Sequence, residues 1–316
     1  MAKKYRYLIG IIFFLAVCVG TGFAAPVKDA HTRVELITEV SGIQPGRPFW
    51  VGLHMKMDDK WQVYWKNPGD SGLATVIQWE LPEGFNAGDI QWPFPIRMDY
   101  PEVTSYGYEG ETILLCELKP PAGLPDGSVQ KIKAHVTWLA CGNICVPGKA
   151  DLSLSLTVGL QEPSVNEPVR EMFKKTMMDW PLTQSDWVVK AYHEGEYFLL
   201  HLMAPQRRFS VPKQIEFFPD ANDVIDHKAS QSFRKVADGY DLVVSKSSAA
   251  KGDISQLKGV LFLDSDEGWQ EGRRALAVDT AVLDKSTEEE ALEKAAPSAL
   301  NRVRASSFPS NGNVEK

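Results

Sequence analysis

The chain has 316 residues, 44% of them hydrophobic, and a formal net charge of −7. This acidic composition argues against nucleic acid as a partner, and the length is sufficient for two domains of ordinary size. After the N-terminal region, no segment approaches the roughly 20 apolar residues that a membrane-spanning helix needs.

Residues 1–24 have the pattern of a secretory signal peptide. Three basic residues precede the apolar run LIGIIFFLAVCVG, and small residues follow in TGFAA,. We expect cleavage after Ala24, which removes Cys18 and takes the net charge from −7 to −10. The predicted mature chain is therefore exported. An uncleaved membrane anchor is the alternative interpretation.

Short alternating segments dominate residues 26–160. TRVELITEV, PFWVGLHMKM, WQVYW, TVIQWEL, TILLCEL, KIKAHVTWLA and ADLSLSLTV are separated by turns rich in Gly, Pro, Asn and Asp. Short strands at this spacing, without a helical stretch, predict an all-β fold of the immunoglobulin-like β-sandwich type.

The character of the sequence changes at residues 161–186, which we interpret as a linker with a short helix around 167–178. Alternation resumes over residues 187–283 and predicts a second, smaller β domain, in which ANDVIDHKASQSFRKVADG is the longest irregular connection. Residues 284–316 are charged and poor in large apolar side chains, so we expect a disordered tail.

Two further groups have the chemistry of a metal or thiol site but suit the core better. His54, Met55 and Met57 are ligand types that suit cuprous copper. Strand alternation, however, places His54 on the face opposite the two methionines. Cys116 shares a face with leucines in TILLCEL and is expected to be a small buried hydrophobe. Copper handling stays open as a hypothesis.

Cys141 and Cys145 lie in WLACGNICVPG, between two predicted strands. In a continuous strand their Cα atoms would be roughly 13 Å apart, whereas a disulfide needs about 4.4–6.8 Å. Gly142 and Asn143 tolerate left-handed geometry, so a turn that closes the pair is feasible. A disulfide across so short a loop adds little stability through chain entropy, and strained or exposed disulfides tend to be exchangeable.

Three roles for this pair remain open from the residues alone. They are thiol–disulfide exchange, a structural disulfide in a non-enzymatic binding module, and half of a metal site. A zinc site needs two more ligands at suitable spacing, and the nearby candidate is His135,. We therefore expect no metal and no cofactor.

Several segments resemble the periplasmic N-terminal region of the thiol:disulfide interchange protein DsbD family, which includes the copper-sensitivity-suppressor relative ScsB. They are WLACGNICVPGKADLSL, WQVYWKNPGDSGLATVIQWELPEGF, IQWPFPIR and YGYEGETILL. The resemblance covers about residues 31–280 and is softer in the second domain, where IEFFPD, LKGVLFLD and RALAVDTAV contribute to it.

This resemblance implies a redox-active pair in which Cys145 is the attacking thiol and Cys141 the resolving thiol. It also implies a thioredoxin-like or membrane-embedded thiol reductase as electron donor and a periplasmic disulfide-bearing protein as acceptor. The chain would then be a component of a protein-disulfide reductase. Family members continue into membrane helices and a thioredoxin-like domain, so we expect that this chain either uses a separate membrane partner or has lost the electron-transfer role.

The resemblance further implies a loop that shields the pair and opens on docking. The matching segment is about residues 96–108, in which Tyr100, Tyr106 and Tyr108 are the candidate shielding side chains. Ordinary turn and edge packing is the alternative role for each of these tyrosines.

Overall fold

A computed structural model describes residues 25–205, 211–250 and 252–284. The predicted signal peptide at residues 1–24, and all of the predicted tail after Asp284, lie outside the described residues. Within the described ranges, no helix has both the length and the apolar character needed to cross a membrane.

The first β domain is a sandwich of two sheets. Its strands are β1 (Val27–Asp29), β2 (Thr32–Thr38), β3 (Gly42–Ile43), β4 (Phe49–Met57), β5 (Gln62–Gly69), β6 (Val76–Glu80), β7 (Asn86–Ala87), β8 (Ile96–Asp99), β9 (Thr104–Glu109), β10 (Glu111–Lys119), β11 (Val129–Cys141) and β12 (Cys145–Val158). One sheet has the order β1-β2-β4-β10-β7, and the other has the order β3-β12-β11-β5-β9-β8 with β6 beside β11. The prediction of an all-β, immunoglobulin-like fold is confirmed.

Alternation along the strands explains the core between these sheets. In β12, Leu152, Leu154 and Leu156 are buried, while Asp151 before them and Ser155 between them are exposed. Because successive side chains of a strand point to opposite faces, this pattern turns one complete face of β12 toward the other sheet. The same alternation buries Val136 and Trp138 on β11, so both strands of this hairpin are held by the core.

Helix α1 (Glu167–Met178) lies where the sequence predicts a short helix. The Asn166 side chain accepts a hydrogen bond from the backbone N–H of Val169, and Pro168 occupies the first turn, where its missing N–H costs nothing,. Val169 and Phe173 pack against buried residues of the first domain. The predicted linker therefore contributes a packed helix to the outer face of the β1-β2-β4-β10-β7 sheet.

The second β domain follows α1 along the chain. Its strands are β13 (Val188–Glu194), β14 (Tyr197–Met203), β15 (Gln214–Pro219), β16 (Ser232–Val236), β17 (Gly239–Ser245), β18 (Gln256–Asp264) and β19 (Ala275–Asp284). They pair in the order β15-β18-β19-β13-β14-β17-β16. A second, smaller β domain is thus confirmed, although the limits we assign to each domain remain an interpretation.

One element of the second domain corrects the sequence interpretation. The sequence pattern assigns SFRKV to an irregular connection, but SFRKV forms β16 and pairs with β17 from Ser232↔Val243 to Val236↔Gly239. The strand is short, and its third and fourth residues, Arg234 and Lys235, are charged, so its own pattern is weak. It becomes a strand because the ladder of β17 supplies partners for its backbone groups.

The two domains share an apolar interface. Phe218 of the second domain belongs to the core cluster of the first domain. Its ring meets Tyr106 edge-on at 5.0 Å and Trp65 at 6.3 Å between centroids. Close beside it, the Asn67 side-chain amide donates to the Pro219 carbonyl at 2.7 Å. The domains therefore pack as neighbours with complementary apolar and polar contacts.

His227 lies in this interface and is 4% exposed. Its Nε2–H donates to the Asn222 carbonyl at 2.8 Å, which leaves Nδ1 to accept from the Tyr106 hydroxyl at 3.0 Å. Burial lowers the pKa of His227, because the surrounding apolar groups disfavour the charged imidazolium,. His227 is therefore held neutral at pH 7.

This depressed pKa predicts a loss of stability in mild acid. Below the ordinary histidine pKa of about 6.5, the unfolded chain binds a proton at this histidine more readily than the native state does. The free energy of unfolding therefore decreases as the pH decreases. Between pH 7.5 and 5.5, the free energy of unfolding of the wild type should fall more than that of a His227→Gln variant, as measured by urea unfolding. His135→Gln, at a partly exposed position on β11, is the matched control and should follow the wild type. Equal losses in wild type and His227→Gln would contradict this assignment.

Candidate functional site

A disulfide joins Cys141 and Cys145 at the end of the β11–β12 hairpin. The two residues are the last cross-strand pair of that hairpin, and their Cα atoms are 4.1 Å apart. The backbone N–H of Gly142 donates to the Ile144 carbonyl at 2.9 Å and closes the turn. The expected turn is confirmed, and it brings the two sulfurs together.

The role predicted for the turn residues needs one correction. Among the described residues, those with positive φ do not include Gly142 or Asn143, so the turn closes without left-handed geometry. Glycine is favoured at position 142 for a different reason. A Cβ there would lie 3.1 Å from the Lys60 carbonyl oxygen and 3.3 Å from the Trp61 ring. The turn therefore packs closely on the segment that precedes β5.

The two cysteines differ strongly in exposure. Cys141 is 3% exposed, whereas Cys145 is exposed. The register gives the reason: Cys141 lies between Cys145 on one side and Gln62 of β5 on the other. The neighbour of Cys145 in the chain, Ile144, has 66% of its surface exposed. An incoming thiol therefore reaches Cys145 first, next to the exposed apolar side chain of Ile144.

Tyr64 is a site residue that the sequence analysis missed. Its hydroxyl lies 4.0 Å from Cys145 Sγ, and its ring is buried against Gly72, which has a φ of 122° and no room for a Cβ. Burial raises the pKa of Tyr64, with an opposing contribution from the Gln62 side chain. Tyr64 thus remains a neutral O–H donor beside the sulfur. Alternation in WQVYW places Gln62 and Tyr64 on one face, but nothing in the sequence connects that face with the cysteines.

The three tyrosines predicted to shield the pair occupy different places. The Tyr100 hydroxyl donates to Gln62 Oε1, so Tyr100 reaches the site. Tyr106 is fully buried against the second domain, and the buried Tyr108 hydroxyl donates to the Pro93 carbonyl at 2.8 Å. Shielding stays a prediction for Tyr100, while the contacts of the other two are those of packing residues.

Cys116 is a free cysteine, and it is buried as expected. Burial raises the pKa of its thiol to about 12, because the apolar surroundings disfavour the thiolate,. Thiolates are the nucleophiles in disulfide exchange, so this thiol is unreactive in the folded protein.

The candidate copper ligands do not converge in the structure. Met55 and Met57 are buried in the core of the first domain. His54 lies on the opposite face of β4, where Nδ1 is 3.2 Å from Glu35 and Nε2 is 3.4 Å from Glu111. Within the described residues, no group of three or more His, Cys, Asp or Glu side chains is arranged to hold a metal ion.

The first domain, which carries the disulfide, matches a known family. Residues 34–157 match the family described as "Thiol:disulfide interchange protein DsbD, N-terminal". This match confirms the resemblance over the first domain. Together with the Cys141–Cys145 disulfide, it supports a thiol–disulfide exchange module. A search of curated proteins gave no match.

Among solved structures, the N-terminal periplasmic domain of ScsB from Proteus mirabilis is similar to this chain. The identity is 20% and the TM-score is 0.59, over 84% of this chain and 98% of that one. The similarity thus supports the fold of both β domains together. The sporulation control protein Spo0M from Bacillus subtilis has 12% identity and a TM-score of 0.22, over 87% of this chain and 99% of that one. That score is too low to indicate a common fold.

The unequal exposure of the cysteines predicts unequal reactivity. After mild reduction of the native protein, Cys145 should react with iodoacetamide on the order of tenfold faster than Cys141, because attack requires an accessible thiolate. Peptide mass spectrometry over a time course measures both rates. Cys116 should stay unmodified until the protein is unfolded, which provides an internal control. Equal rates for Cys141 and Cys145 would contradict the prediction.

From the position of Tyr64 we predict that its hydroxyl lowers the pKa of the Cys145 thiol. Replacing Tyr64 by Phe keeps the ring and removes the hydroxyl near Cys145 Sγ. Loss of a hydrogen bond to the thiolate should raise the pKa of Cys145 by about one unit. The pH dependence of Cys145 alkylation in the reduced protein measures this shift. Tyr197→Phe, on an exposed part of β14, is the matched control and should leave the profile unchanged.

Proposed function

We propose that this protein is a periplasmic thiol–disulfide exchange protein that relays reducing equivalents through Cys141 and Cys145. The donor would be a thioredoxin-like or membrane-embedded thiol reductase, and the acceptor a periplasmic protein with a disulfide. The observation that carries this proposal is the pairing of an exposed Cys145 with a buried Cys141 in one disulfide.

The chemistry follows from the positions of the two sulfurs. In the reduced protein, the Cys145 thiolate attacks the acceptor disulfide, forms an S–S bond to one acceptor sulfur and expels the other as a thiolate. Cys141 then attacks Cys145 Sγ, re-forms the internal disulfide and releases the second acceptor sulfur. The pair loses two electrons, and the acceptor disulfide gains them. A donor dithiol restores the reduced pair by the reverse sequence.

The surroundings suit each cysteine to its step. Cys141 is covered by the pairing of β11 with β5, so an external disulfide cannot reach it before Cys145. It nevertheless stays within bonding distance of Cys145, as a resolving thiol must. The Tyr64 hydroxyl lies beside the sulfur that becomes the attacking thiolate, where a hydrogen-bond donor favours the charged form,.

A periplasmic location suits this chemistry. Residues 1–24 have the pattern of a secretory signal, and the ScsB structure that resembles this chain is titled a periplasmic domain. Disulfides persist in the bacterial periplasm, so both an oxidised pair and oxidised acceptors are available there.

The alternative is a non-enzymatic binding module in which the disulfide only stabilises the hairpin. The reduction potential of the purified protein separates the two functions. Structural disulfides of secreted proteins have potentials below about −300 mV, whereas exchangeable pairs have higher ones. We expect a value above about −300 mV, measured by equilibration with glutathione or dithiothreitol buffers. A lower value would make the relay untenable.

A second prediction tests the division of labour between the cysteines. With Cys141→Ala, the mixed disulfide at Cys145 cannot be resolved internally, so a covalent complex with a partner protein should accumulate in the periplasm. Non-reducing electrophoresis and mass spectrometry detect and identify it. Cys145→Ala is the matched control and should give no complex, because the buried Cys141 is not reached. Complexes through Cys141 alone would reverse the assigned roles.

A further inference from the structure

The hairpin of β8 and β9 connects the second domain with the disulfide. Tyr100 is at its tip, and the Tyr100 hydroxyl donates to the side chain of Gln62, the β5 partner of Cys141. The Gln62 side chain also contacts Tyr64, whose hydroxyl is 4.0 Å from Cys145 Sγ. The tip of this hairpin therefore borders the disulfide on the side formed by β5.

The second domain contacts both strands of the hairpin at one cross-strand pair. Arg97 on β8 and Tyr106 on β9 are direct cross-strand partners. The Arg97 guanidinium donates to Glu216 Oε1 at 3.3 Å and to the Lys228 carbonyl at 3.2 Å. The Tyr106 hydroxyl donates to His227 Nδ1 at 3.0 Å. One cross-strand pair of the hairpin is thus fixed from both sides by the second domain.

The attachment at this level is strong because it is largely buried. The side chains of Arg97 and Glu216 are 15% and 6% exposed. Burial raises the pKa of Glu216, while the adjacent Arg97 guanidinium opposes that rise and favours the carboxylate. The Arg97 guanidinium also pairs with Asp99 of its own strand at 2.9 Å, so Glu216 is the charged group that connects it to the second domain. Neutralising Glu216 removes that connection, while Arg97 keeps Asp99 as an ion-pair partner.

A further contact reaches the tip itself. The Lys228 ammonium donates to the carbonyl of Pro101 at 2.5 Å, next to Tyr100 in the chain. The tip is closed by a backbone hydrogen bond from Tyr100 N–H to the Val103 carbonyl at 2.9 Å. Lys228 is exposed, so this bond is weaker than the buried pair and is the part that an approaching protein can displace,.

We propose that the second domain anchors the β8–β9 hairpin, and that Arg97 and Lys228 are positioning residues that keep Tyr100 beside the Cys141–Cys145 disulfide and limit access to it. A docking partner displaces residues 100–103 and breaks the Lys228–Pro101 contact. Arg97 and Tyr106 keep their contacts with the second domain. The biological meaning of this gate rests on the proposed exchange function. The gate itself is a property of the fold.

Lys228→Met tests the contact at the tip, with Lys213→Met as a control of equal charge elsewhere on the second domain. Two measurements apply to the oxidised full-length protein: the rate of disulfide reduction by a water-soluble phosphine, and amide hydrogen exchange over residues 98–104. We expect Lys228→Met to raise both by about threefold, as the loss of one exposed hydrogen bond implies. The control should match the wild type. Identical values for Lys228→Met and Lys213→Met would overturn the proposal.

Glu216→Gln tests the buried attachment without removing Arg97. It keeps the shape of the side chain and weakens its bond to the guanidinium, so phosphine reduction should accelerate by about tenfold. Tyr100→Ala removes the side chain that the Lys228–Pro101 and Arg97–Glu216 contacts hold in position. In a Tyr100→Ala background, neither Lys228→Met nor Glu216→Gln should accelerate reduction further. Full additivity would overturn the proposal, since a general loosening of the fold does not depend on Tyr100.

The same experiment separates this inference from the proposed function. Phosphine reduction reports access to the disulfide whether or not the protein exchanges disulfides with partners. Reduced thioredoxin, assayed in parallel, tests exchange with a protein thiol. If thioredoxin fails to reduce the wild type while the phosphine rates rank as expected, the exchange function is wrong and the anchor stands. If the phosphine rates are all equal, the anchor is wrong.

Discussion

The register between β11 and β12 is the constraint on which the site depends. The two strands pair over thirteen consecutive residue pairs, from Val129↔Thr157 to Cys141↔Cys145. A slip of one residue would turn every buried side chain of these strands to the wrong face and would separate the cysteines. Burial of the leucines of β12 therefore fixes where the cysteines meet, and the disulfide is a consequence of core packing far from the sulfurs.

The same register makes the two sulfurs unequal. Cys141 has strand neighbours on both sides, because β11 lies between β12 and β5 at this level. Cys145 has a strand neighbour on one side and lies at the turn. One sulfur is thus protected while the other is presented, which is the arrangement that sequential exchange through a mixed disulfide needs. Tyr64 adds a hydrogen-bond donor beside the presented sulfur, and it is supplied by the strand that covers the protected one.

The second domain gains a role from its contacts with the first. Phe218 enters the core cluster of the first domain, and the polar contacts around it converge on the β8–β9 hairpin. Interfaces between domains of one chain commonly permit relative motion. Here the apolar contact and the buried Arg97–Glu216 pair connect the position of the second domain to the segment beside the disulfide. A domain without cysteines of its own can in this way control access to a thiol site.

The sequence by itself determined the β class, the place of the helix at 167–178 and the burial of Cys116, because each depends on a local pattern of side chains. It showed that closure of Cys141 with Cys145 is feasible, but the turn closes without the left-handed geometry that the sequence suggested. It did not reveal that Tyr64 and Gln62 lie beside the cysteines, or that the second domain contacts the β8–β9 hairpin. These join residues far apart in the chain, from Gln62–Cys141 to Arg97–Glu216, and strand alternation says which face a side chain occupies but not which strand lies beside it,. Only the order of strands in the folded sheets decides that.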